Sequence, residues 1–255
     1  MPAPVNMFKT DLAAGKQLYG CWAGFADAYA TEVLGTAGFD WLVIDGEHAP
    51  NDLRSVSAQL QALQSSDSDA IVRVPIGEDW VIKQVLDAGA QNLLVPMVET
   101  AAQAETLVRA MRYPPDGIRG SGAALARASA FGAIPDYIKT ANDQMCLVVQ
   151  IESRTALENL DAICAVEGVD AAFIGPSDLA NDMGHRGDAT HPEAMQAMQD
   201  ALARIKAAGK APGILAVDHD TALMYRDWGG QMLAVGIDVL FFAQSARTLV
   251  AKWKA

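Results

Sequence analysis

Short apolar runs recur along the chain, separated by longer stretches of mixed polarity. Eight of these runs are apolar at nearly every position, which is typical of parallel strands buried on both faces. In four of them a glycine stands two positions before an Asp or Gln, and the apolar run follows after one more residue, at 38–44, 89–95, 168–174 and 229–235. The other four predicted strands are Leu18–Trp22, Ala70–Val74, Cys146–Ile151 and Gly213–Val217. Residues 236–242 fit the same glycine pattern, so the last strand has two possible positions.

The stretches between these runs have the spacing of amphipathic helices. The clearest is Pro192–Ala208, where Met195, Met198, Leu202 and Ile205 recur at helical spacing, proline stands at the first turn and Gly209 follows the end. The glycine that precedes each repeated strand suits the left-handed residue that ends a helix. Further helices are predicted at Asp52–Gln64, Asp79–Ala88, Thr100–Arg112 and Arg154–Val166.

Strict alternation of buried strands with helices indicates a parallel sheet. Eight such units in 255 residues favour a closed (β/α)₈ TIM barrel that forms a single domain over residues 1–255. One long irregular segment, Tyr113–Ile134, interrupts the alternation. A loop of this length in a compact domain is usually functional.

The composition limits which binding partners and which cellular compartment are expected. The net charge is -12 and no run of Lys or Arg occurs, so a nucleic-acid backbone or an anionic membrane is not expected as a partner. The three cysteines are scattered without a CxxC pair, which is typical of reduced, buried thiols. No stretch has the length of a signal peptide core or a membrane span. We therefore expect a cytoplasmic protein.

Polar side chains follow several of the predicted strands at the point where each strand ends. In a parallel barrel these ends meet at one rim, which is the rim that carries active sites. The residues concerned are Asp45, Glu47, His48, Arg73, Gln150, Glu152, Ser177 and Asp178.

Glu152 and Asp178 lie one strand–helix unit apart, so their carboxylates are expected to face each other. Two carboxylates with room for water and substrate suit Mg²⁺ or Mn²⁺. Alternatively, Glu152 is a solvated residue at a strand end and Asp178 caps the next helix. Pattern alone does not decide between a metal site and this structural reading.

Arg73 lies in an otherwise apolar strand, and a buried cation must be paired. It forms either a structural salt bridge or a fork for a carboxylate or a developing enolate. His48 alone could be an ordinary loop residue, but beside Asp45 and Glu47 it is a candidate base. No lysine lies within or at the end of a predicted strand, so Schiff-base chemistry is not expected.

The chain contains the segments WLVIDGEH, IVRVP, NLLVPMVET, YPPDGIRGSG, VVQIES and FIGPSDLA. Taken together, these segments resemble the HpcH/HpaI aldolase family of class II pyruvate aldolases, which includes 4-hydroxy-2-oxoheptanedioate and 2-dehydro-3-deoxyglucarate aldolases. The resemblance covers about residues 15–250.

The resemblance implies a role for each matching position. Glu152 and Asp178 match the metal ligands, for which Mg²⁺, Mn²⁺ or Co²⁺ is expected. Arg73 matches the arginine at the pyruvate keto oxygen, and His48, with Asp45 nearby, matches the proton-transfer histidine. Three further positions match: Asp87, which pairs with that histidine from a neighbouring subunit, and Gln150 and Ser177 in the pyruvate pocket. Ser177 departs from the alanine of some members.

The resemblance also implies a reaction and an assembly. The expected activity is metal-dependent, reversible aldol cleavage of 4-hydroxy-2-oxoacids to pyruvate, or a related 2-oxoacid, and an aldehyde, in aromatic or sugar-acid catabolism. The expected assembly is a homo-hexamer, a trimer of dimers, in which the last helix, Ala243–Lys254, packs on a neighbouring subunit. Two alternatives remain: a citryl- or malyl-type lyase acting on a CoA thioester, and a non-catalytic ligand-binding barrel.

Overall fold

Eight parallel strands, paired in chain order, close into a barrel in the computed structural model, which describes residues 1–254. This confirms the predicted (β/α)₈ TIM-barrel architecture. Each strand pairs with the next, and β8 pairs with β1 to complete the ring. The strands are β1 Leu18–Ala23, β2 Trp41–Asp45, β3 Asp69–Arg73, β4 Asn92–Val95, β5 Cys146–Ile151, β6 Val169–Ile174, β7 Ala211–Leu215 and β8 Met232–Ile237.

Helices surround the barrel and connect its strands. They are α1 Met7–Ala13, α2 Ala28–Gly35, α3 Leu53–Ala62, α4 Asp79–Asp87, α5 Ala101–Met111, α6 Tyr137–Thr140, α7 Arg154–Glu158, α8 Leu160–Cys164, α9 Pro176–Asp182, α10 Pro192–Ala207, α11 His219–Asp227 and α12 Asp238–Lys254. Side-chain caps explain several starts: Asp52 caps α3 and Thr100 caps α5, each through a reciprocal capping box.

Three predicted boundaries were wrong. The stretch Arg154–Val166 is two short helices, because Asn159 leaves helical geometry between α7 and α8. The seventh strand begins at Ala211, two residues before the predicted start. Residues 239–242 are helical, so α12 begins at Asp238 and not at the expected Ala243, and of the two possible positions of the last strand the structure has the first, β8. There, a buried Asp238 carboxylate accepts the Gly24 N–H at 2.8 Å and ties the start of α12 to the end of β1.

The predicted helix-ending glycines do adopt left-handed backbone angles. Gly38, Gly89, Gly168 and Gly229 have φ values of +88°, +111°, +101° and +101°. A side chain rarely tolerates this region, which is why glycine recurs immediately before these strands. The repeated sequence pattern is therefore a repeated turn from the outer helix layer into the barrel.

The barrel interior is filled by side chains rather than open. Trp41 lies at its centre, with its ring 6.3 Å from that of Trp22 and 6.4 Å from that of Phe173. Phe8 of α1 packs against Trp41 and belongs to the same apolar cluster, so α1 covers the end of the barrel where the strands begin. The opposite end, where the strands finish, carries the polar residues.

A second and larger apolar cluster lies between the barrel and its helices. Cys21 and Cys164 belong to it and Cys146 to the interior cluster, so all three thiols are buried and free, as predicted. None of the helices described is both long and apolar enough to cross a bilayer. Unlike the residues of these buried clusters, many large apolar side chains of α12 are exposed, namely Leu240, Phe241, Phe242, Leu249, Val250 and Trp253.

Candidate active site

The turn after β2 is organised by the carboxylate of Asp45. Its Oδ1 accepts the backbone N–H of Glu47 at 3.0 Å and that of His48 at 3.3 Å. The Asn51 amide in turn donates to the Asp45 carbonyl at 2.8 Å. A buried aspartate that accepts from the following residues fixes a tight turn, and this turn presents Glu47 and His48 at the barrel mouth.

Arg73 and Asp45 form a buried ion pair across neighbouring strands. They are register partners at the last positions of β3 and β2. Arg73 Nε donates to Oδ1 at 2.8 Å and Nη2 to Oδ2 at 2.7 Å, so the fork is bidentate. Burial alone would raise the pKa of Asp45, but the hydrogen bonds and charge of Arg73 hold that pKa below its ordinary value.

The remaining face of Arg73 is also occupied. Its guanidinium lies over the Trp22 ring, 5.3 Å from the centroid. Its Nη1 lies 3.0 Å from Glu47 Oε2, although that buried oxygen accepts no well-directed hydrogen bond among the described residues. The predicted salt bridge therefore exists. It does not exclude the enolate-binding reading, because Arg73 also lines the cavity at the barrel mouth.

Glu152 follows β5 and is buried, with only 3% of its surface exposed. Its Oε1 accepts the backbone N–H of Met97 at 2.8 Å, and its Oε2 accepts the Gln150 side-chain amide. Burial raises the pKa of Glu152, with a further contribution from the negative charge of Asp178. Gly175 makes room for this carboxylate, because a Cβ at that position would lie 2.7 Å from Glu152 Oε2.

Asp178 and Ser177 lie in the first turn of α9, which begins with Pro176. Gly175 is the N-cap of this helix, and no side chain makes a capping hydrogen bond. Glu152 is therefore not solvated and Asp178 is not a helix cap, so the structural alternative for this pair was wrong. The negative charge of Asp178 instead contributes to the raised pKa of Glu152.

These residues fit a divalent cation. Burial raises the pKa of Glu47, and the charge of Glu152 adds to the effect, so three carboxylates crowd the same region. Gln150 Oε1 and Glu47 Oε2 are buried without a well-formed hydrogen bond among the described residues. Clustered carboxylate oxygens are the donors that Mg²⁺ and Mn²⁺ prefer. Glu152 and Asp178 offer oxygen donors of this kind.

A cavity of about 500 Å³ opens at this end of the barrel. His48 borders it with its side chain 66% exposed, and the closest charged partner is Glu47, 3.9 Å from His48 Nε2. Apolar side chains complete the wall. The lining includes Trp22, Asp45, His48, Arg73, Gln150, Phe173, Ser177, Asp178, Leu215 and Leu240. Of the predicted site residues outside this lining, Glu152 bonds to Gln150 and Glu47 pairs with Arg73, whereas Asp87 contacts none of the lining residues described above.

Asp87 lies elsewhere, at the last position of α4 in the outer layer. Its Oδ1 accepts from Arg119 Nη2 at 2.7 Å, and Arg119 is a fully buried cation stacked 4.4 Å from the Tyr113 ring centroid. Asp87 lines a separate groove of about 600 Å³ that also contains Leu125 and Phe131. The long segment 113–134 therefore anchors Asp87 within its own chain.

Sequence reasoning missed two groups of residues. The Met97 N–H and the Trp22 ring contact Glu152 and Arg73, but neither a backbone donor nor an apolar ring gives a recognisable sequence signal. The sequence shows no ligand spacing for His185 and His191, which predicts surface or capping residues. In the structure their rings stack at 3.5 Å beside Glu193. His191 accepts the Glu193 N–H and caps α10, so at least one of these histidines is a capping residue as expected.

Comparison with known proteins identifies the family. The family model described as HpcH/HpaI aldolase/citrate lyase matches residues 18–245. The chain belongs to this family. The chain is 68% identical to a hydroxypyruvate/pyruvate aldolase of Roseovarius nubinhibens, over 100% of this chain and 99% of the relative.

Two further relatives extend the comparison. A 4-hydroxy-2-oxo-heptane-1,7-dioate aldolase of Escherichia coli is 50% identical over 98% of this chain and 95% of its own length. A crystal structure of a HpcH/HpaI aldolase/citrate lyase family protein from Burkholderia cenocepacia superimposes with a TM-score of 0.95. That structure is 41% identical and covers 98% of this chain and 100% of its own. The family resemblance drawn from the sequence is therefore confirmed.

Proposed function

We propose that this protein is a class II aldolase, a carbon–carbon lyase that reversibly cleaves 4-hydroxy-2-oxoacids into a 2-oxoacid and an aldehyde. The observation that carries the proposal is that Arg73, Gln150 and Asp178 line one cavity at the end of the barrel, while the buried Glu152 carboxylate bonds to Gln150 of that lining. Relatives named hydroxypyruvate/pyruvate aldolase support both pyruvate and hydroxypyruvate as the 2-oxoacid product.

Glu152 and Asp178 would hold a divalent cation, with Mg²⁺, Mn²⁺ or Co²⁺ as candidates. When bound, such an ion acts as a Lewis acid toward the keto and carboxylate oxygens of the substrate. Gln150 and the Met97 N–H each bond one oxygen of Glu152 and so fix its orientation. Glu47 places a further carboxylate at the edge of this group.

Arg73 would stabilise the enolate that forms when the C3–C4 bond breaks. Negative charge then develops on the former keto oxygen, and a fixed cation beside that oxygen lowers the barrier without reorganising during the step. Asp45 holds the guanidinium through two hydrogen bonds and Trp22 covers its face, so Arg73 is preorganised. Asp45 acts as a positioning residue in this scheme.

His48 would carry the proton. It borders the cavity, and the Asp45 turn fixes its backbone. In the cleavage direction His48 accepts the proton of the C4 hydroxyl as the aldehyde forms, and a proton is later returned to C3 of the enolate. Ser177 and Gln150, which line the same cavity, would contact the 2-oxoacid.

We further propose that the protein acts in the cytoplasm as a homo-hexamer, with α12 packed on a neighbouring subunit and Asp87 bonded to the neighbour's His48. The exposed apolar residues of α12 support the first contact. The position of Asp87, outside the cavity of its own chain and in a groove on the outer layer, supports the second. A role in aromatic or sugar-acid catabolism is consistent with these substrates.

Metal removal tests the proposal most directly. Thoroughly stripped protein should release no 2-oxoacid from a 4-hydroxy-2-oxoacid, and Mg²⁺, Mn²⁺ or Co²⁺ should restore the release. Acyl-CoA substrates and exchange of the pyruvate methyl protons in D₂O should be measured in parallel. Cleavage of CoA thioesters alone would indicate a citryl- or malyl-type lyase, and no exchange at all would indicate a binding protein. Full activity after stripping would refute the class II assignment.

A further inference from the structure

Met97 is an unusual residue in the turn that follows β4. Its backbone φ is +56°, in the left-handed region that side chains other than glycine rarely adopt. Its side chain is 53% exposed, whereas the neighbouring Val98 is buried. An unfavourable backbone conformation with an exposed side chain suggests that the backbone, not the thioether, has the functional contact.

The backbone contact is with Glu152. The Met97 N–H donates to Glu152 Oε1 at 2.8 Å, while the next residue, Val98, donates its N–H to the Gln150 carbonyl at 3.3 Å. Two successive N–H groups of one turn therefore reach the end of β5, where the carboxylate lies. In an ordinary right-handed or extended conformation at Met97, these two donors would not keep the same directions.

The turn is held on its other side as well. The Glu99 carboxylate accepts the Ser153 hydroxyl at 2.7 Å, and the Glu99 carbonyl accepts the Asn159 amide at 2.9 Å. These anchors tie the end of the turn to α7 and to its junction with α8, so the strained residue is fixed from both directions. Strain persists in a native structure only when its surroundings determine it in this way.

We propose that the left-handed turn at Met97 is a positioning device for Glu152, which fixes the carboxylate so that it can bind the cation. The inference rests on the proposed function, because it takes Glu152 as a cation ligand. It assigns the role to the Met97 N–H and its conformation, and none to the thioether. Outer hydrogen-bond partners of metal ligands typically change metal affinity by about 10- to 100-fold.

A graded substitution series at Met97 separates backbone from side chain. Met97→Gly removes the thioether but adopts positive φ readily, and Met97→Leu keeps a side chain of similar size that is not branched at Cβ. Met97→Val and Met97→Thr are β-branched and oppose this conformation most strongly. We expect the first two to bind Mn²⁺ within about 2-fold of wild type, and the branched pair to bind it at least about 10-fold more weakly.

The measurement is the Kd of Mn²⁺ for the metal-stripped full-length protein, by electron paramagnetic resonance and calorimetry, without substrate. Thermal unfolding of each variant checks that it is folded. Loss of affinity in Met97→Gly equal to that in the branched variants would overturn the inference in favour of a side-chain role. That comparison remains decisive even if a branched variant does not fold.

Glu152→Gln distinguishes this inference from the function on which it rests. If Glu152→Gln weakens Mn²⁺ binding and the branched Met97 variants do not, only the positioning role is wrong. If Glu152→Gln binds Mn²⁺ as wild type does, the metal assignment is wrong and the positioning role fails with it. Weakened binding in Glu152→Gln and in the branched variants, with wild-type binding in Met97→Gly, is the expected result.

Discussion

Arg73→Ala removes a guanidinium that both pairs with Asp45 and faces the cavity, so it should affect stability and catalysis separately. Asp45 would stay in place with its side chain 6% exposed and without its partner. Breaking a buried ion pair from one side costs about 3–5 kcal/mol. We expect a loss near the lower end, about 3 kcal/mol, because the pair borders the cavity and water can enter the space that Arg73 vacates.

The catalytic effect has a different origin. If Arg73 is the preorganised donor to the enolate oxygen, its loss should lower kcat by at least about 10²-fold, or about 2.7 kcal/mol in the barrier. Arg73→Lys is the matched control, since it keeps a charge near Asp45 but cannot form the bidentate fork. We expect Arg73→Lys to recover part of the stability and little of kcat.

The pH dependence of stability provides an independent check. In the wild type the pKa of Asp45 is lowered, so its pair contributes fully above the unfolded pKa of about 3.9 and is lost as pH falls through the folded value. In Arg73→Ala burial remains without the cation, and the pKa of Asp45 should rise above its ordinary value. The stability difference between the two proteins should therefore be largest near pH 7 and shrink toward acid.

Urea unfolding at neutral and mildly acidic pH measures this difference, and steady-state kinetics with a 4-hydroxy-2-oxoacid measures kcat. Bound metal should be quantified in each variant, because Arg73 is not a proposed ligand and metal binding should survive. A normal kcat with reduced stability would show that Arg73 is only a structural partner of Asp45. Unchanged stability at every pH would refute the ion-pair energetics.

Two other predictions concern the assembly of subunits and the end of the barrel where the strands begin, which α1 covers. His48→Ala and Asp87→Asn should each be inactive with metal bound, and mixed oligomers reassembled from the two should regain activity in proportion to the mixed contacts. No recovery, despite mixed oligomers seen by mass spectrometry, would show that the pair does not act across an interface. At the start of β3, burial and the charges of Asp11 and Asp40 raise the pKa of Asp69 to about 6. Its folded pKa lies above the unfolded value, so stability falls as pH rises through about 6. Asp69→Asn should raise Tm at pH 7.5 and lose that advantage near pH 4, and an equal gain at both pH values would contradict the sign.

The fold was predictable because the same glycine-containing turn leads from a helix into a strand several times. Glycine at 38, 89, 168 and 229 adopts positive φ, and an apolar strand follows each time. The same glycine pattern occurs again at 236–242, but there it is followed by a helix and not by a strand. There Asp238 is the first residue of α12, and its buried carboxylate accepts the N–H groups of Gly24 and Val239, a tertiary contact that the apolar run after it does not reveal. In the sequence, the apolar residues at the start of α12 have the same spacing as those of a buried strand, so spacing alone does not show that they are helical.

The candidate site was predictable only as far as its side chains follow strands. Asp45 ends β2, Arg73 ends β3 and Glu152 follows β5. The order of the strands is therefore enough to predict that these side chains lie at one rim of the barrel. What orients them was not predictable. Glu152 is oriented by a backbone N–H from a strained turn, and Arg73 by the face of a tryptophan, and neither contact has a spacing in the chain. The residue types in the sequence predict which groups bind a ligand, but the contacts that hold those groups in place appear only in the folded structure.

The geometry of a single chain also argues that its site is incomplete. General base catalysis on an aldol substrate is favoured where water is excluded, since buried charges then interact more strongly. Arg73 and Glu152 are buried, but the His48 side chain is 66% exposed, so the proton-transfer side of the cavity faces solvent. Asp87, anchored by the buried Arg119, faces a groove with exposed Leu125 and Phe131. A second copy that covers His48 with this groove would exclude water from the imidazole and fix its tautomer in one contact, which is why the mixed-oligomer experiment tests the chemistry and the assembly together.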